Sequence, residues 1–255
     1  MTLALSVVVV ARNEAARLPD CLRSVADADE LVVVDHRSTD ETAGIARALG
    51  ARVVEADGPL SELRRIGCAT ARAAWILCLD ADERLPAGGV TVVRDAIAAA
   101  GESIGGFRLP IRTYVGDRML RWGGYYPAAR LRLLRAGQVR WPQARVHERP
   151  EVEGVVASLS LPIEHPAFRD LAHVREKQRR YAAWAALDLR AAKRRPTLPA
   201  GLARATWRAL RSYVFRGGFL MGRLGWSMAW VQAQYVWQRT RWAREGPPAE
   251  LLGPR

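Results

Sequence analysis

Lysine is almost missing from this chain: of 39 basic residues, only Lys177 and Lys193 are not arginine. GC-rich coding accounts for that bias, so it excludes no function. Cysteine is scarce as well. Cys21, Cys68 and Cys78 are odd in number and fit neither a disulfide framework nor a metal-binding spacing, which points to a reducing cytosol. Cys78, inside an apolar run, reads as a small buried hydrophobe. No uncharged apolar run is long enough to cross a bilayer. The nearest, 217–238, is interrupted by Arg223 and carries Gln232 and Gln234. The apolar start, 1–11, has no basic n-region and reads as a buried strand, not a signal peptide. No Gly-x-Gly-x-x-Gly and no glycine-lysine phosphate loop follows it, which argues against a dinucleotide dehydrogenase or a P-loop enzyme. There is no internal repeat.

Acidic residues are scarce in one region only. Residues 1–170 hold 22 basic and 22 acidic residues, whereas 171–255 hold 17 and 4, so the whole net charge of +13 sits in the last third. Six of the nine Trp lie there too. With 255 residues, 49% of them apolar, the chain can bury a real core and is no disordered tail. Its charge admits nucleic acid, an anionic membrane surface or an acidic substrate as partner.

The first 80 residues alternate between two periodicities. Apolar, β-branched runs at 5–10, 31–34, 52–55 and 75–79 predict strands. Between them, the helical spacing of 14–26, the Thr39-Asp40-Glu41 start closed by Gly50, and the Ala-rich 61–74 predict helices. Strands apolar on both faces and separated by helices imply a mostly parallel, doubly wound α/β sheet with helices on both faces. A helix at 90–100 follows, then strands at 107–114, 130–135 and 155–161, mixed or antiparallel additions to that sheet. From Asp170 the pattern is helical up to Arg195, broken by Pro196 and Pro199, and resumes from Leu202 and over 219–244. The plan is a domain at 1–170, a basic, Trp-rich helical extension at 171–245 and a Pro/Gly-rich tail at 246–255, expected to be disordered.

In such sheets ligands bind beyond the carboxyl ends of the strands. Those ends are polar here: Arg12-Asn13-Glu14 after the first strand, Asp35-His36-Arg37-Ser38 after the second, Asp80-Ala81-Asp82-Glu83 after the fourth. Two carboxylates leaving a buried strand end are costly without a cation or hydrogen bonds. An Asp-x-Asp pair can hold Mg2+ or Mn2+, with a substrate diphosphate completing the shell; a solvated turn is the bland alternative. Asp35 suits a hydrogen bond from a nucleotide's base or ribose, or a plain turn. Asp40 is assigned to helix capping, and His147 and His173 to structure.

Together these segments resemble glycosyltransferase family 2, the inverting group with the GT-A nucleotide-sugar fold. The likeness rests on the order of the run 6–10, Arg12-Asn13-Glu14, Leu31-Val32-Val33-Val34-Asp35, Ser38-Thr39-Asp40 and Leu79-Asp80-Ala81-Asp82-Glu83. Further on, Gly123-Gly124-Tyr125-Tyr126-Pro127, Arg130-Leu131-Arg132-Leu133, Val146-His147-Glu148-Arg149 and Ile163-Glu164-His165 are similar to the bacterial lipopolysaccharide-core β-1,4-glucosyltransferase branch. The resemblance covers roughly 3–240. It implies a GT-A-type (Rossmann-like) domain with a nucleotide-binding half, 1–100, and an acceptor half, 101–170. It also implies roles. Asp35 would meet the base, with Asn13 and Glu14 in the same nucleotide-sugar site. Asp80 would meet the ribose or a metal, and Asp82 would be the principal ligand of a divalent metal, Mg2+ or Mn2+. His165 would approach the metal or diphosphate, or simply end a strand. Glu148 would be the acceptor-side general base, or otherwise a surface partner of Arg145 or Arg149. Tyr125, Tyr126 and Arg132 would line the acceptor, with core packing the alternative for the tyrosines. Two positions depart from the branch: His36-Arg37-Ser38 replaces Ser-Gly-Ser, and Leu63-Arg64-Arg65 replaces Gln-Lys-Asn, where Arg64 or Arg65 would serve the diphosphate.

The reaction so implied is inverting transfer from a nucleotide diphosphate sugar, a UDP-linked hexose, to a hydroxyl of a cell-envelope glycan or lipopolysaccharide core. A polyprenyl-phosphate sugar transferase shares the fold and the Asp-x-Asp and is the alternative. The arginines and aromatics of 202–244 imply an interfacial element on an anionic membrane, which places the chain in the cytoplasm on the inner face of the cytoplasmic membrane. A bundle packed on the catalytic domain, or a homodimer, is the other reading of that surface. A non-enzymatic nucleic-acid-binding protein would explain the basic third but not the ordered carboxylates. No nucleic-acid motif is present, so no nucleic-acid partner is expected.

Overall fold

The computed structural model describes residues 4–141 and 150–252. In chain order the elements are β1 (Leu5–Ala11), α1 (Leu18–Arg23), β2 (Glu30–Asp35), α2 (Thr42–Ala48), β3 (Arg52–Glu55), α3 (Leu60–Thr70), β4 (Trp75–Asp80), α4 (Gly89–Ala98) and β5 (Ile104–Leu109). There follow β6 (Ile111–Val115), β7 (Arg118–Met119), β8 (Arg130–Arg135), β9 (Val139–Arg140), β10 (Glu151–Val152), β11 (Val155–Ser158) and β12 (Ile163–Phe168). Helices α5 (Leu171–Ala191), α6 (Leu198–Leu210) and α7 (Arg223–Glu245) complete the chain. Two compact units result: Met1–Ile111 with Ala128–His165, and Arg112–Pro127 with Pro166–Arg255.

The first unit is built on a seven-stranded sheet in the order β11-β5-β8-β4-β1-β2-β3. β1 pairs in parallel with β2 and β4, and β2 with β3, while β8 runs antiparallel to both β4 and β5. This is the mostly parallel α/β sheet expected of a GT-A-type domain. The unbroken apolar run of β1 has a direct cause, for both of its faces are covered. Leu5, Val7 and Val9 pack with Leu18 and Leu22 of α1 and Val90 and Val93 of α4. Val8 joins Val32, Ile76 and Cys78 beneath Cys68 of α3. That second contact is close: a Cβ on Gly67 would sit 2.4 Å from Val8 Cγ1 and 3.0 Å from Val34 Cγ2. Gly67→Ala is therefore expected to destabilise the unit by about 1–3 kcal/mol through overpacking. Urea unfolding reads this, and an unchanged midpoint would show that α3 does not pack on β1 this tightly.

The second unit holds the strand order β12-β6-β7 and the three long helices. Its core joins Val115 and Leu120 to Val174, Leu224, Met228 and Val231. Small side chains let the helices approach α7: Ala182, Ala183 and Ala186 of α5 meet Trp242 and Ala243, and Ala205 of α6 meets Ala233 and Val236. Among the described residues, no helix is long and apolar enough to cross a membrane.

Local expectations are corrected in five places. The single strand expected at 107–114 is two, because Pro110 has no N–H for a ladder and separates β5 from β6. The helix expected at 14–26 is only Leu18–Arg23, with Pro19 in its first turn. Pro199, expected to break a helix, opens α6 from the first turn, where its missing N–H costs nothing. The last helix starts at Arg223, not Phe219, because Gly217 and Gly222 take φ of 66° and 57° around a 3-10 turn. In the tail expected to be disordered, Ala249–Leu251 forms a 3-10 turn and Leu251 packs beside the alanines of α5. The unit boundary also differs from the plan. It falls at 165/166, and 112–127 joins the helical unit because Val115 and Leu120 complete its core.

Candidate functional site

Register sets the site. Val10 lies beside Asp80 and Ala11 beside Asp35, so both carboxylates leave the sheet level with the end of β1. Two strand spacings separate them, roughly 10 Å. From β1 the order runs outward through β2 and β3 on one side and to β4 on the other. That reversal is a topological switch point, where open α/β sheets bind ligands.

The loops after β1 and β2 are lashed together. Asn13, at φ 53°, accepts the Thr39 N–H at 2.8 Å and donates its own N–H to Ser38 Oγ at 3.0 Å. The Glu14 N–H donates to Thr42 Oγ1 at 2.9 Å. Asp40 accepts the N–H groups of Thr42 at 3.0 Å and Ala15 at 3.2 Å, a capping role that also ties the two loops. Asp35 is buried, and its Oδ2 accepts the Ser38 N–H at 3.1 Å. Its Oδ1 is buried with no partner among the described residues. A buried carboxylate oxygen left in that state is costly until something donates to it.

At the end of β4 charges interlock. Asp80 accepts from Arg64 at 2.5 Å and from Arg132 at 2.9 Å. Arg132 also donates to Glu83 at 2.5 Å, and Glu83 in turn accepts the Asp80 N–H at 2.9 Å. Burial pushes the Asp80 carboxyl up, but Arg132 and Arg64 outweigh it and hold the group below the usual carboxylate range. Glu83 is pushed up to about 7 by burial, with the Asp80 charge adding to the rise and Arg132 opposing it. Asp82 faces His165, whose Nε2 is 3.3 Å from Oδ2, with Arg17 at 3.9 Å. Burial lowers His165, yet the Asp82 carboxylate more than offsets this and raises it above its ordinary value. Beside Asp80 opens a cleft of 450 Å³, lined in part by Arg64, Arg108, Arg130, Arg132 and Trp141.

The structure thus brings Asn13, Glu14, Asp35, Arg64, Asp80, Asp82, Arg132 and His165 to the carboxyl edge of one sheet. Other expectations are answered differently. Arg65 points to the exposed side of α3 and pairs with Glu62 at 2.6 Å. Arg132, expected on the acceptor, is buried and engaged by Asp80 and Glu83. Tyr125 and Tyr126 belong to the second unit. Tyr125 packs on that unit's core, accepts from Gln232 at 2.6 Å and is pushed up to about 12 by burial. Glu148, His147 and Arg145 lie outside the described residues. Sequence reading missed Glu83 and Arg17. For Glu83 the signal was present, as a third carboxylate directly after Asp-x-Asp at a buried strand end.

For a divalent cation, Asp82 and His165, 3.3 Å apart, are the residues that could serve as donors. Among the described residues no group of three or more carboxylate, imidazole or thiol side chains converges. A carboxylate and an imidazole fit an Mg2+ or Mn2+ ion that takes its remaining oxygens from a diphosphate and water. Asp80, held between two arginines, is not disposed to join them.

A doubly wound α/β domain with carboxylates and arginines gathered at its switch point falls in the nucleotide-binding class. Residues 6–149 match the model of Glycosyl transferase family 2, and the chain belongs to that family. It is 29% identical to the lipopolysaccharide core biosynthesis glycosyltransferase LpsC of Rhizobium meliloti, over 61% of this chain and 60% of that one. It is 40% identical to an uncharacterized glycosyltransferase of Rickettsia bellii, over 33% of this chain and 30% of that one. The matches span between 21% and 60% of the length of these curated relatives and the other curated relatives compared. Among solved structures, glucosyl-3-phosphoglycerate synthase from Mycobacterium tuberculosis, in complex with Mn2+, UDP and glucosyl-3-phosphoglycerate, aligns over 45% of each chain at 25% identity. Its TM-score of 0.35 is too low to carry ligands across.

Proposed function

We propose that the chain transfers a sugar, with inversion, from a nucleotide diphosphate sugar to a hydroxyl of a cell-envelope saccharide. The observation that carries this reading is the Asp82–His165 pair beside the Arg64–Asp80–Arg132 cluster, at the switch point between β1 and β4. Family membership supports the reaction class. The relative named for lipopolysaccharide core biosynthesis supports the acceptor class, and a UDP-linked hexose is the proposed donor.

Inverting transfer needs a deprotonating acceptor, a neutralised leaving group and an in-line geometry. Asp35, with one free carboxylate oxygen, would accept from the nucleotide base. The lashed loops of Asn13 and Glu14 would hold that nucleotide rigid against the sheet. Arg64 would turn part of its charge to the leaving diphosphate, a preorganised cation where negative charge develops. Asp82 and His165 would hold a divalent cation, which when bound offsets diphosphate charge. Glu148 is the proposed acceptor-side base. The proposed place of work is the inner face of the cytoplasmic membrane.

A panel of nucleotide sugars, each with Mn2+ or Mg2+, tests this by thermal shift and by release of the nucleoside diphosphate. One donor should raise the melting temperature and be turned over only with a saccharide acceptor. No shift with any donor would overturn the reading.

A further inference from the structure

We propose that the turn joining α6 to α7, with the adjoining faces of both helices, docks on an anionic phospholipid bilayer. Folding leaves large apolar side chains in water there: Trp207, Phe215, Phe219, Leu220, Trp226 and Trp230 are each 51–66% exposed. They are not scattered. Tyr213 meets Phe219 and Trp226 edge-on at 6.4 and 5.4 Å, and Trp207 meets Phe215 at 5.6 Å. Between them an apolar cleft of 220 Å³ opens, with Leu210 and Val214 on one side and Trp226 and Trp230 on the other. A contiguous apolar surface of this kind marks an interaction site.

Charge identifies the occupant. Between Asp188 and Glu245 the sequence has 12 basic residues and no acidic one. Arg204, Arg208, Arg211, Arg216 and Arg223 are all exposed around the aromatic patch. A merely solvated helix face mixes both signs. A second copy meeting this face symmetrically would set arginine against arginine. A nucleic acid would satisfy the arginines but leave Leu210, Val214 and Leu220 in water. An anionic bilayer satisfies both sets: headgroups take the guanidinium groups, and the acyl boundary takes the rings and aliphatic side chains. The surface stands independently of the transfer reaction, and no donor sugar is needed to test it.

The test is co-sedimentation of the full chain with vesicles of phosphatidylcholine alone or mixed with phosphatidylglycerol. Binding should be at least about tenfold tighter to the anionic vesicles, and Arg211→Gln should weaken it about fivefold. Phe219→Ser combined with Leu220→Ser should weaken it at least about tenfold while leaving the circular dichroism unchanged, since both side chains are half exposed. Equal binding to both vesicles, or wild-type binding by the double serine variant, would overturn the proposal. So would a dimer that the serine variant dissociates without any vesicle binding, or a stronger preference for duplex DNA over the anionic vesicles.

Discussion

Asp82→Asn is expected to lower the proposed sugar transfer by about 10³-fold while the protein stays folded. Asn matches the shape of Asp82 and removes only its charge. That charge does two things in the structure. It raises His165 above its ordinary value across 3.3 Å, and it supplies the carboxylate of the Asp82–His165 pair proposed to hold a divalent cation. The loss should appear in kcat, with the thermal midpoint within a few degrees of wild type and nucleoside binding through Asp35 retained. His165→Ala, which removes one of the two proposed ligands and leaves the carboxylate, should lose less. The readout is release of nucleoside diphosphate under saturating donor and Mn2+. An Asp82→Asn variant that keeps more than a tenth of wild-type turnover would remove Asp82 from the proposed machinery.

What could be read from the sequence divides along a physical line. Strands β1 to β4 were legible because burial on both faces forces uninterrupted apolar runs, and the carboxylates at their ends were legible because a polar cluster directly after such a run is conspicuous. The partners of those carboxylates were not legible. Arg132 reads as one member of an alternating Arg-Leu strand, a half-exposed pattern, and nothing local says that β8 inserts antiparallel beside β4 and buries its guanidinium. Glu30 is a similar case. It opens an otherwise apolar strand and is buried at the opposite end of the sheet from the site, held by Ser6, Arg52 and Arg72. Long-range ion pairing follows from strand order, and strand order is not encoded in local periodicity. The prolines show the same limit on a smaller scale. Pro199 reads as punctuation and Pro110 reads as part of one strand; whether each splits, starts or ends an element depends on which N–H its neighbours need.

Arg132→Met is expected to destabilise the protein by about 3–5 kcal/mol at neutral pH, because it strips the shared cation from the buried Glu83 and the partly buried Asp80. This cost should shrink on acidification. Glu83 sits at about 7 in the folded protein against 4.5 for an ordinary glutamate, so between those values the folded state keeps a proton that the unfolded chain has released. Stability from this group is therefore present at low pH and is lost as pH rises through that window. Arg132 is the charge that pulls Glu83 down. Without it Glu83 climbs further, and the fall in stability with rising pH becomes larger and extends to higher pH. Asp80 behaves oppositely in the wild type: Arg132 and Arg64 together outweigh burial and hold it below the usual range, so its contribution is kept above that range and lost only in strong acid. Urea unfolding of wild type and Arg132→Met at about pH 5 and about pH 8 separates the two groups. The gap between the proteins should be smallest at the lower pH, where Glu83 is neutral and needs no partner. A gap of equal size at both would mean that Arg132 serves Asp80 alone. Arg132→Lys, which keeps the charge but cannot reach both carboxylates with a planar fork, should recover part of the stability at the higher pH.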